Sequence, residues 1–164
     1  MSPPKVSIRN LTESDLDLFF TWLNDPIAFG EWDRPLGISR EEFMQRWKDG
    51  YYSTTRLICN DDIAIGWTRY FISDRKPWIC GMGIFICIPE QRGKGLGGPA
   101  LQLTMDEVSL AHPEVCKFEL MTDYNNKPAQ AVFEKLGFVK EGLLKRYWKL
   151  KGEFSDIYAY ALLK

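Results

Sequence analysis

The sequence predicts a layered fold of the α/β or α+β class, with helices packed on a mixed, mostly antiparallel sheet. Segments with strand-like and helix-like spacing follow one another along the 164 residues in the order β-α-α-β-β-β-α-β-α-β-β. Short turns join several consecutive strands, which is typical of antiparallel hairpins. One strand–helix–strand crossover, between residues 84 and 121, indicates a parallel pair inside the sheet.

The chain begins with a short strand and an acidic helix. Residues 6–9 form the strand, and the segment TESDLDLFFTWLN follows with apolar residues at helical spacing. Thr12 and Asp15 resemble a capping box in which Asp replaces the usual Glu. Pro26 and Gly30 are expected to break the helical pattern.

A second helix and three strands come next. Ser39 is expected to cap the helix REEFMQRWKDG, which Gly50 closes. The strands RLICN and IAIGWTRYFI are separated only by Asp61-Asp62, which indicates a hairpin. A third strand, PWICGMGIFICI, runs up to Pro89.

The second half contains two helices and three strands. A glycine-rich loop leads into a helix from about Gly97 to Ala111. The segment CKFELMTD indicates a strand, and KPAQAVFEKLG a short helix that ends at Gly137. The tail is predicted to form two strands split by Lys151-Gly152.

Composition excludes several classes of protein. Hydrophobic content is 45% and charged content 26%, so residues 1–164 are expected to form one globular domain. A net charge of −1 argues against a general nucleic-acid binder. The sequence has no run of about 18 apolar residues and begins with MSPPKVSIRN, so neither a membrane span nor a signal peptide is expected. We therefore expect a cytoplasmic protein.

The four cysteines do not indicate a metal site. They are Cys59, Cys80, Cys87 and Cys116, with no C-x-x-C pair and only one histidine in the chain. No structural zinc is expected, and the cysteines are expected to be reduced and mostly buried in strands.

The loop EQRGKGLGGPAL places four glycines directly before a helix. Gly93, Gly95, Gly97 and Gly98 leave the backbone bare where the helix N-terminus carries unpaired N–H groups and a partial positive charge. A phosphate can approach such amides closely. Arg92 and Lys94 add positive charge, so the loop is expected to bind a diphosphate.

The loop does not fully fit either of two common nucleotide-binding patterns. The triphosphate pattern G-x-x-x-x-G-K-[ST] fails because Gly95 follows Lys94. The dinucleotide pattern G-x-G-x-x-G is met by Gly93, Gly95 and Gly98, and Glu119 lies where a ribose-binding acid would. Such a loop normally opens the first βαβ unit of its domain, however, whereas antiparallel hairpins precede this one.

Two blocks of sequence resemble the GNAT superfamily of acyl-CoA-dependent N-acetyltransferases. Q-R-G-x-G-x-G begins at Gln91, and N-x-P-A followed by F-E-K-L-G-F runs over residues 126–138. The opening SIRNLTESDLDLFFTWLND and the ending KGEFSDIYAYALLK are most similar to the branch of ribosomal-protein N-terminal (RimJ/RimL-like) acetyltransferases. The resemblance implies helices on both faces of the sheet and a central, splayed parallel strand pair.

The resemblance also implies acetyl-CoA as cofactor. Its pyrophosphate would contact the loop, and its pantetheine arm would pair with main-chain groups of the preceding strand. Asn126 matches the family asparagine near the arm and is also a plausible helix N-cap. The implied cofactor contacts are Ile86, Cys87, Ile88, Arg92, Gly93, Lys94, Gly95, Leu96, Gly97, Gly98, Asn126 and Phe133.

The usual catalytic side chains of the family are absent. Many members have a tyrosine that protonates the leaving thiolate, and the matching residue here is Phe133. The N-terminal-acetylating branch often has a serine where this chain has Ala129. The position of the family's glutamate base corresponds to about Met82. A backbone N–H between residues 85 and 87 is expected to stabilise the developing oxyanion. Tyr124 and Glu31 are therefore the hypothetical catalytic residues.

Three further residues are hypothetical acceptor contacts. Trp32 and Asp33 lie in the loop that borders the acceptor site in the family, and Tyr70 lies on a strand that would face the same cleft.

The expected acceptor is a primary amine, either a protein or peptide N-terminus or a small amine such as a polyamine or aminoglycoside. Dimers are common in the family, so a homodimer is compatible with the resemblance. The alternative is an acyl-CoA-binding module without turnover.

Overall fold

The structure, a computed structural model, describes residues 5–164, which form seven strands and five α-helices. The strands are β1 (Val6–Asn10), β2 (Thr55–Asn60), β3 (Ile63–Ser73), β4 (Lys76–Ile86), β5 (Lys117–Asp123), β6 (Val139–Leu150) and β7 (Glu153–Leu163). The helices are α1 (Leu16–Asn24), α2 (Pro26–Phe29), α3 (Arg40–Lys48), α4 (Gly97–Ala111) and α5 (Lys127–Lys135).

All seven strands belong to one sheet, in the order β1-β2-β3-β4-β5-β7-β6. Strands β4 and β5 are parallel, whereas the other five neighbouring pairs are antiparallel. Helix α4 makes the crossover between the two parallel strands, as a parallel connection requires. The predicted mixed, mostly antiparallel sheet with one parallel pair is confirmed.

The entry to α1 is fixed by a buried carboxylate. The backbone N–H and hydroxyl of Thr12 both donate to Asp15 Oδ2 at 2.8 Å, which confirms the predicted capping box. The Arg9 guanidinium donates to both oxygens of Asp15, at 2.7 and 2.8 Å. These contacts, led by Arg9, hold the pKa of Asp15 well below its usual range. A short 3₁₀ turn, Glu13–Asp15, therefore precedes the α-helix.

The structure differs from the prediction at two boundaries. Pro26 does not simply end the helical region, because it is the first residue of the short helix α2, where a missing N–H costs nothing. Asp25 caps this helix by accepting a hydrogen bond from the Ile27 N–H at 2.9 Å. Strand β4 ends at Ile86 rather than continuing to Pro89.

Two hydrophobic cores lie on opposite faces of the sheet. Leu57 and Trp67 point to one face, where they pack against α1, α2 and α3. Met82 and Phe118 point to the other face, where they pack against α4 and α5. The helices therefore cover both faces, as the resemblance implied.

Three of the four cysteines are buried, and Cys116 is exposed just before β5. Burial raises the pKa of the Cys80 and Cys87 thiols to about 12, so neither is a reactive thiolate near neutral pH. Within residues 5–164, no helix has the length and apolar character needed to cross a membrane.

Candidate active site

A cleft opens where the two parallel strands separate. Three residue pairs join β4 to β5, and the last of them is Gly81 with Glu119. Beyond that pair the strands part around a cleft of about 870 Å³. Its walls include residues 81–86 of β4, 119–122 of β5 and 28–33 after α1, together with the start of α5. The separation leaves main-chain edges unpaired in the middle of the sheet.

The glycine loop lies at the end of this cleft and has free amide groups. Gly93 and Gly95 have φ angles of 71° and 74°, a conformation that side chains strain. Among residues 5–164, no backbone oxygen accepts a hydrogen bond from the N–H groups of residues 93–98. Leu96, the N-cap of α4, makes no side-chain cap, and its own side chain is buried. The helix N-terminus is therefore open to an anion.

Gly97 and Gly98 are not required by the fold itself. A Cβ added at Gly97 would lie 3.8 Å from Ile84 Cδ1, and one at Gly98 would lie 3.9 Å from Val132 Cγ1. Both distances are ordinary contacts, and neither residue has a positive φ. The bare backbone at these positions leaves room for a ligand to approach the helix amides closely.

Arg92 lines the cleft but its guanidinium is occupied by carbonyl oxygens. Its Nε donates to the Ile86 oxygen at 2.8 Å, and its Nη2 donates to the oxygens of Ile27 and Ala28 at 2.5 and 3.0 Å. Arg92 thus ties the end of β4 to α2. Lys94 is exposed beside it, and no hydrogen bond or ion pair joins its ammonium to another described side chain.

The available edge of β4 lies earlier in the strand than expected. The N–H groups of Cys87 and Ile88 both donate to the Ile65 oxygen of β3, at 2.8 and 3.2 Å. Main-chain groups alternate between the two neighbours of a strand, so Ile84 and Ile86 direct theirs toward the separated β5. The Ile86 oxygen is taken by Arg92. The amides of Ile84 and Ile86 are therefore the donors that face the cleft.

Asn126 and Phe133 both line the cleft from the α5 side. Asn126 is the N-cap of α5, and its Oδ1 accepts a hydrogen bond from the Ala129 N–H at 3.2 Å. Phe133 is 4% exposed and packs in the core beneath α4, as do Met82 and Tyr160. Apart from Asn126, this wall of the cleft is apolar.

The three residues of the loop after α2 lie at the other wall. Glu31, Trp32 and Asp33 all line the cleft, but Glu31 is exposed whereas Asp33 is half-buried. Burial raises the pKa of Asp33, against the smaller opposing effect of the Arg34 N–H, which donates to its Oδ1 at 2.8 Å. A raised pKa makes a carboxylate a stronger base.

Tyr124 and Tyr70 do not line the cleft. Tyr124 is 41% exposed at the end of β5, where its carbonyl accepts hydrogen bonds from Lys127 and Gln130. Tyr70 is 8% exposed and packs in the core on the α4 face, next to Met82. Successive strand residues alternate between the faces, so Phe71, rather than Tyr70, reaches the cleft. The position of Tyr70 therefore does not support the predicted acceptor contact.

Sequence reasoning missed Gly83, which lies on the cleft wall in the interior of β4. Its added Cβ would meet nothing within 4 Å, and its φ is not positive. A glycine inside a strand often marks a close approach of a ligand, so the run GMGIF carried a usable signal. Trp148 of β6 also lines the cleft.

Comparison with known families agrees with this architecture. Residues 5–139 match the model of the acetyltransferase (GNAT) domain, which is most of the chain. The chain belongs to the GNAT acetyltransferase family. Its loop and separated strands are thus those of a GNAT domain.

Two relatives of this GNAT domain have longer sequences. The uncharacterized N-acetyltransferase p20 of Bacillus licheniformis is 35% identical over 72 residues, which is 44% of this chain and 40% of the relative. The N-acetyltransferase 9-like protein of Nematostella vectensis is 27% identical over 137 residues, or 82% of this chain and 61% of the relative. The chain therefore spans about half the length of these relatives.

Solved GNAT structures share the fold over nearly the whole chain. A ribosomal-protein-alanine N-acetyltransferase from Brucella melitensis superimposes with a TM-score of 0.79 at 18% identity, covering 96% of this chain and 99% of that one. A spermidine N-acetyltransferase from Vibrio cholerae, solved with CoA and spermine, has a TM-score of 0.79 at 22% identity, covering 96% and 95%. At these identities the likeness shows the fold.

Proposed function

We propose that the protein is an N-acetyltransferase that moves an acetyl group from acetyl-CoA to a primary amine, on a protein N-terminus or a small molecule. The observation that carries this proposal is the cleft between the separated strands, which ends at the free amides of the glycine loop. That shape suits an elongated ligand with an anionic diphosphate at one end and a hydrogen-bonding arm at the other. GNAT membership and the Vibrio cholerae complex with CoA support it.

The loop and the strand edge would hold the cofactor. The amides of residues 93–98 and the Lys94 ammonium would bind the diphosphate. The free edge of β4 at Ile84 would pair with the amides of the arm, as an added strand does. Asn126 and Phe133 would line the same passage from α5.

Residues on the two walls of the cleft would have different roles in the reaction. Acetyl-CoA, when bound, supplies a thioester carbonyl that a neutral amine attacks directly. The Ile86 amide, which faces the cleft, would donate to the carbonyl oxygen. Asp33 would accept the proton that the amine loses, because its carboxylate lies in the cleft and has a raised pKa. Glu31, which is exposed, remains a second hypothesis for this role. Tyr124 lies outside the cleft and is therefore the weaker of the two catalytic candidates that the sequence suggested.

A second candidate is an acyl-CoA-binding module without turnover. The apolar wall of the cleft favours it, since Met82, Ala129 and Phe133 offer no proton to a leaving thiolate. A thiol-release assay with a panel of amines separates the two functions. Release that saturates with an amine supports the transferase, whereas tight binding of acetyl-CoA with no release from any amine supports the module.

The proposed diphosphate site at the start of α4 is tested by Gly97→Ala and Gly98→Ala, with Gly142→Ala as a control. Added methyl groups at the first two positions fit the folded chain but occupy the approach to the helix amides. We expect the Kd of CoA to rise about tenfold or more, equivalent to 1.4 kcal/mol or more of binding free energy. Gly142 in β6 has equally free space and a negative φ, so its variant should bind CoA normally. Unchanged affinity in the two loop variants would refute the diphosphate site.

A further inference from the structure

One wall of the cleft contains a hydroxyl group that is free to bind a ligand. Thr122 of β5 is 5% exposed and lines the cleft. Within residues 5–164 its Oγ1 has no hydrogen-bond partner, and yet Oγ1 is not among the fully enclosed side-chain atoms that lack one. The hydroxyl therefore borders open space, and the cleft is the space that Thr122 lines.

The hydroxyl of Thr122 is distinctive on this wall. Among the described residues that line the cleft, Thr122 carries the only hydroxyl, and none carries a thiol. Its neighbours on the wall include Leu120, Ala129 and Phe133, which are apolar. Buried polar groups are normally paired. An unpaired hydroxyl in these surroundings therefore indicates an occupant of the cleft that accepts a hydrogen bond.

The strand register places Thr122 where the sheet has parted. Gly81 and Glu119 are the last residues that pair β4 with β5. Thr122 follows Glu119 by three residues, or about 10 Å at about 3.3 Å per residue. On β4 the same rise leads from Gly81 to Ile84, whose amide is directed toward the cleft. Thr122 and the Ile84 amide thus lie on opposite sides of the gap that the arm of the cofactor would occupy.

Thr122 points to the face of the sheet that α4 and α5 cover. Side chains alternate along a strand, so Thr122 shares a face with Phe118 and Leu120, which pack in the core beneath these helices. Met82 and Phe133 belong to the same core and also line the cleft. Neither can donate a hydrogen bond, so Thr122 supplies the hydroxyl that this wall otherwise lacks.

We infer that the Thr122 hydroxyl donates a hydrogen bond to the sulfur of coenzyme A and so stabilises the leaving thiolate. This inference rests on the proposed acetyltransferase function. The amine nitrogen forms a bond to the acetyl carbon, and the carbon–sulfur bond breaks with its electron pair remaining on sulfur. Asp33 accepts the proton lost by nitrogen and passes it to water, and water supplies the proton of the released thiol. Thr122 keeps its own proton, because an aliphatic hydroxyl is a much weaker acid than a thiol.

The apolar surroundings of Thr122 make this hydrogen bond matter most when sulfur is charged. Burying an unpaired charge among apolar side chains is far more costly than burying a neutral group. A hydrogen bond to an ionised acceptor is also stronger than one to a neutral acceptor. The hydroxyl therefore contributes little to binding the neutral thioester and more to the transition state, which raises kcat rather than lowering KM.

The hydrogen bond is tested without turnover by titrating the thiol of bound coenzyme A. The ultraviolet absorbance of the thiolate, measured as a difference from the complex with desulfo-coenzyme A, gives the pKa of the bound thiol. Thr122→Val keeps the shape of the side chain and removes the hydroxyl. We expect the pKa of the bound thiol to be about one unit higher in this variant than in the wild-type chain. Thr122→Ser retains a hydroxyl and should remain close to the wild-type value.

Thr55→Val is the matched control. Thr55 is 1% exposed and its hydroxyl is also unpaired within residues 5–164, but Thr55 does not line the cleft. Its variant should leave the pKa of the bound thiol unchanged.

Steady-state kinetics with the best amine of the panel give a second readout. Thr122→Val should lower kcat about tenfold, while the KM of the amine and the Kd of acetyl-CoA change less than about twofold. Thr122→Ser should keep most of the wild-type kcat. Thermal unfolding monitors the fold, and the unfolding temperature of Thr122→Val should stay equal or rise because the removed hydroxyl has no partner in the described chain.

The outcomes separate this inference from the proposed function. An equal thiol pKa in the wild-type chain and in Thr122→Val would show that the hydroxyl binds only water, and the inference would fail. An equal rise in Thr55→Val would also overturn it, since the effect would not come from the cleft. A raised pKa confined to Thr122→Val, with no release from any amine, would support the hydrogen bond and refute turnover. Failure of the wild-type chain to bind coenzyme A would refute the proposed function and the inference together.

Discussion

Glu31 and Asp33 carry the same functional group in one short loop, but their surroundings separate their chemistry. Both residue types were visible in the sequence, whereas the half-burial of Asp33 depends on how the loop after α2 folds over the cleft. Phe71 and Tyr70 are likewise neighbours in the sequence, but they point to opposite faces of the sheet and only Phe71 lines the cleft. Sequence identifies candidate groups at this scale, and tertiary packing decides which of them reach the site.

Asp33→Asn should reduce turnover and increase stability at neutral pH. Loss of a general base typically costs about 10²–10⁴ in rate. Burial raises the pKa of Asp33 in the folded chain above its unfolded value. The ionised carboxylate therefore costs stability as pH rises through the folded pKa, and the cost disappears below the unfolded value of about 3.9. Thermal unfolding at several pH values should show the variant more stable near pH 7 and equal to the parent chain in acid.

The control for this change is Glu31→Gln, which alters an exposed carboxylate of the same loop. It should leave the unfolding temperature unchanged at both pH values. Wild-type kcat in Asp33→Asn, together with reduced kcat in Glu31→Gln, would transfer the role of base to Glu31.

Individual elements were predicted well where local chemistry decides them. The bounds of α4 agree with those expected from its glycines and apolar spacing, and Ser39 caps α3 through the Glu42 N–H at 3.1 Å. The short helix α2 was missed because Pro26 has two opposite meanings, as a helix breaker or as a first helical residue. The sequence also does not show which strand the amides of Cys87 and Ile88 face, and in the structure both donate to the Ile65 oxygen of β3.

Arg92→Met should destabilise the fold because Arg92 connects two elements. The change leaves the carbonyl oxygens of Ile86, Ile27 and Ala28 without the guanidinium, with an expected loss of about 1–3 kcal/mol in the free energy of unfolding. Denaturant titration measures this loss. Lys94→Met is the matched control, since it removes an exposed charge of the same loop without such contacts. It should weaken CoA binding while leaving stability unchanged, and equal destabilisation by both changes would contradict the connecting role.

Acid should weaken the start of α1 through Asp15. Arg9 and Thr12 lower the pKa of Asp15 in the folded chain, so the stability it confers is present above the unfolded pKa of about 3.9. That contribution is lost as pH falls through the folded pKa. Asp15→Asn should therefore lower the unfolding temperature near pH 7 and have a smaller effect in strong acid. An equal effect at both pH values would show that charge is not the cause.

The whole molecule consists of two groups of paired strands, β1–β4 and β5–β7, that meet through three residue pairs. The order of the elements in the sequence predicted the mixed sheet and its single parallel pair. The resemblance, rather than any residue pattern, implied the separation of the pair. A ligand in the cleft would hydrogen-bond to one group and pack against the other.

Coenzyme A should therefore stabilise the sheet as a whole. At a free concentration of 100 times its Kd, it should add about 2.7 kcal/mol to the free energy of unfolding. Hydrogen exchange should slow in residues 82–86 and also in residues 120–123, on both sides of the cleft. Protection confined to the glycine loop would show that the ligand does not bridge the two groups.

The central position of the separated strands has a consequence for solubility. An unpaired strand at the rim of a sheet invites pairing with other molecules and so promotes aggregation. Here the unpaired edges of β4 and β5 lie inside the sheet, with helices above and below them. A foreign chain would have to thread between these layers before it met a free amide. The main-chain groups of β4 and β5 are thus open to a narrow ligand but shielded from pairing with another chain.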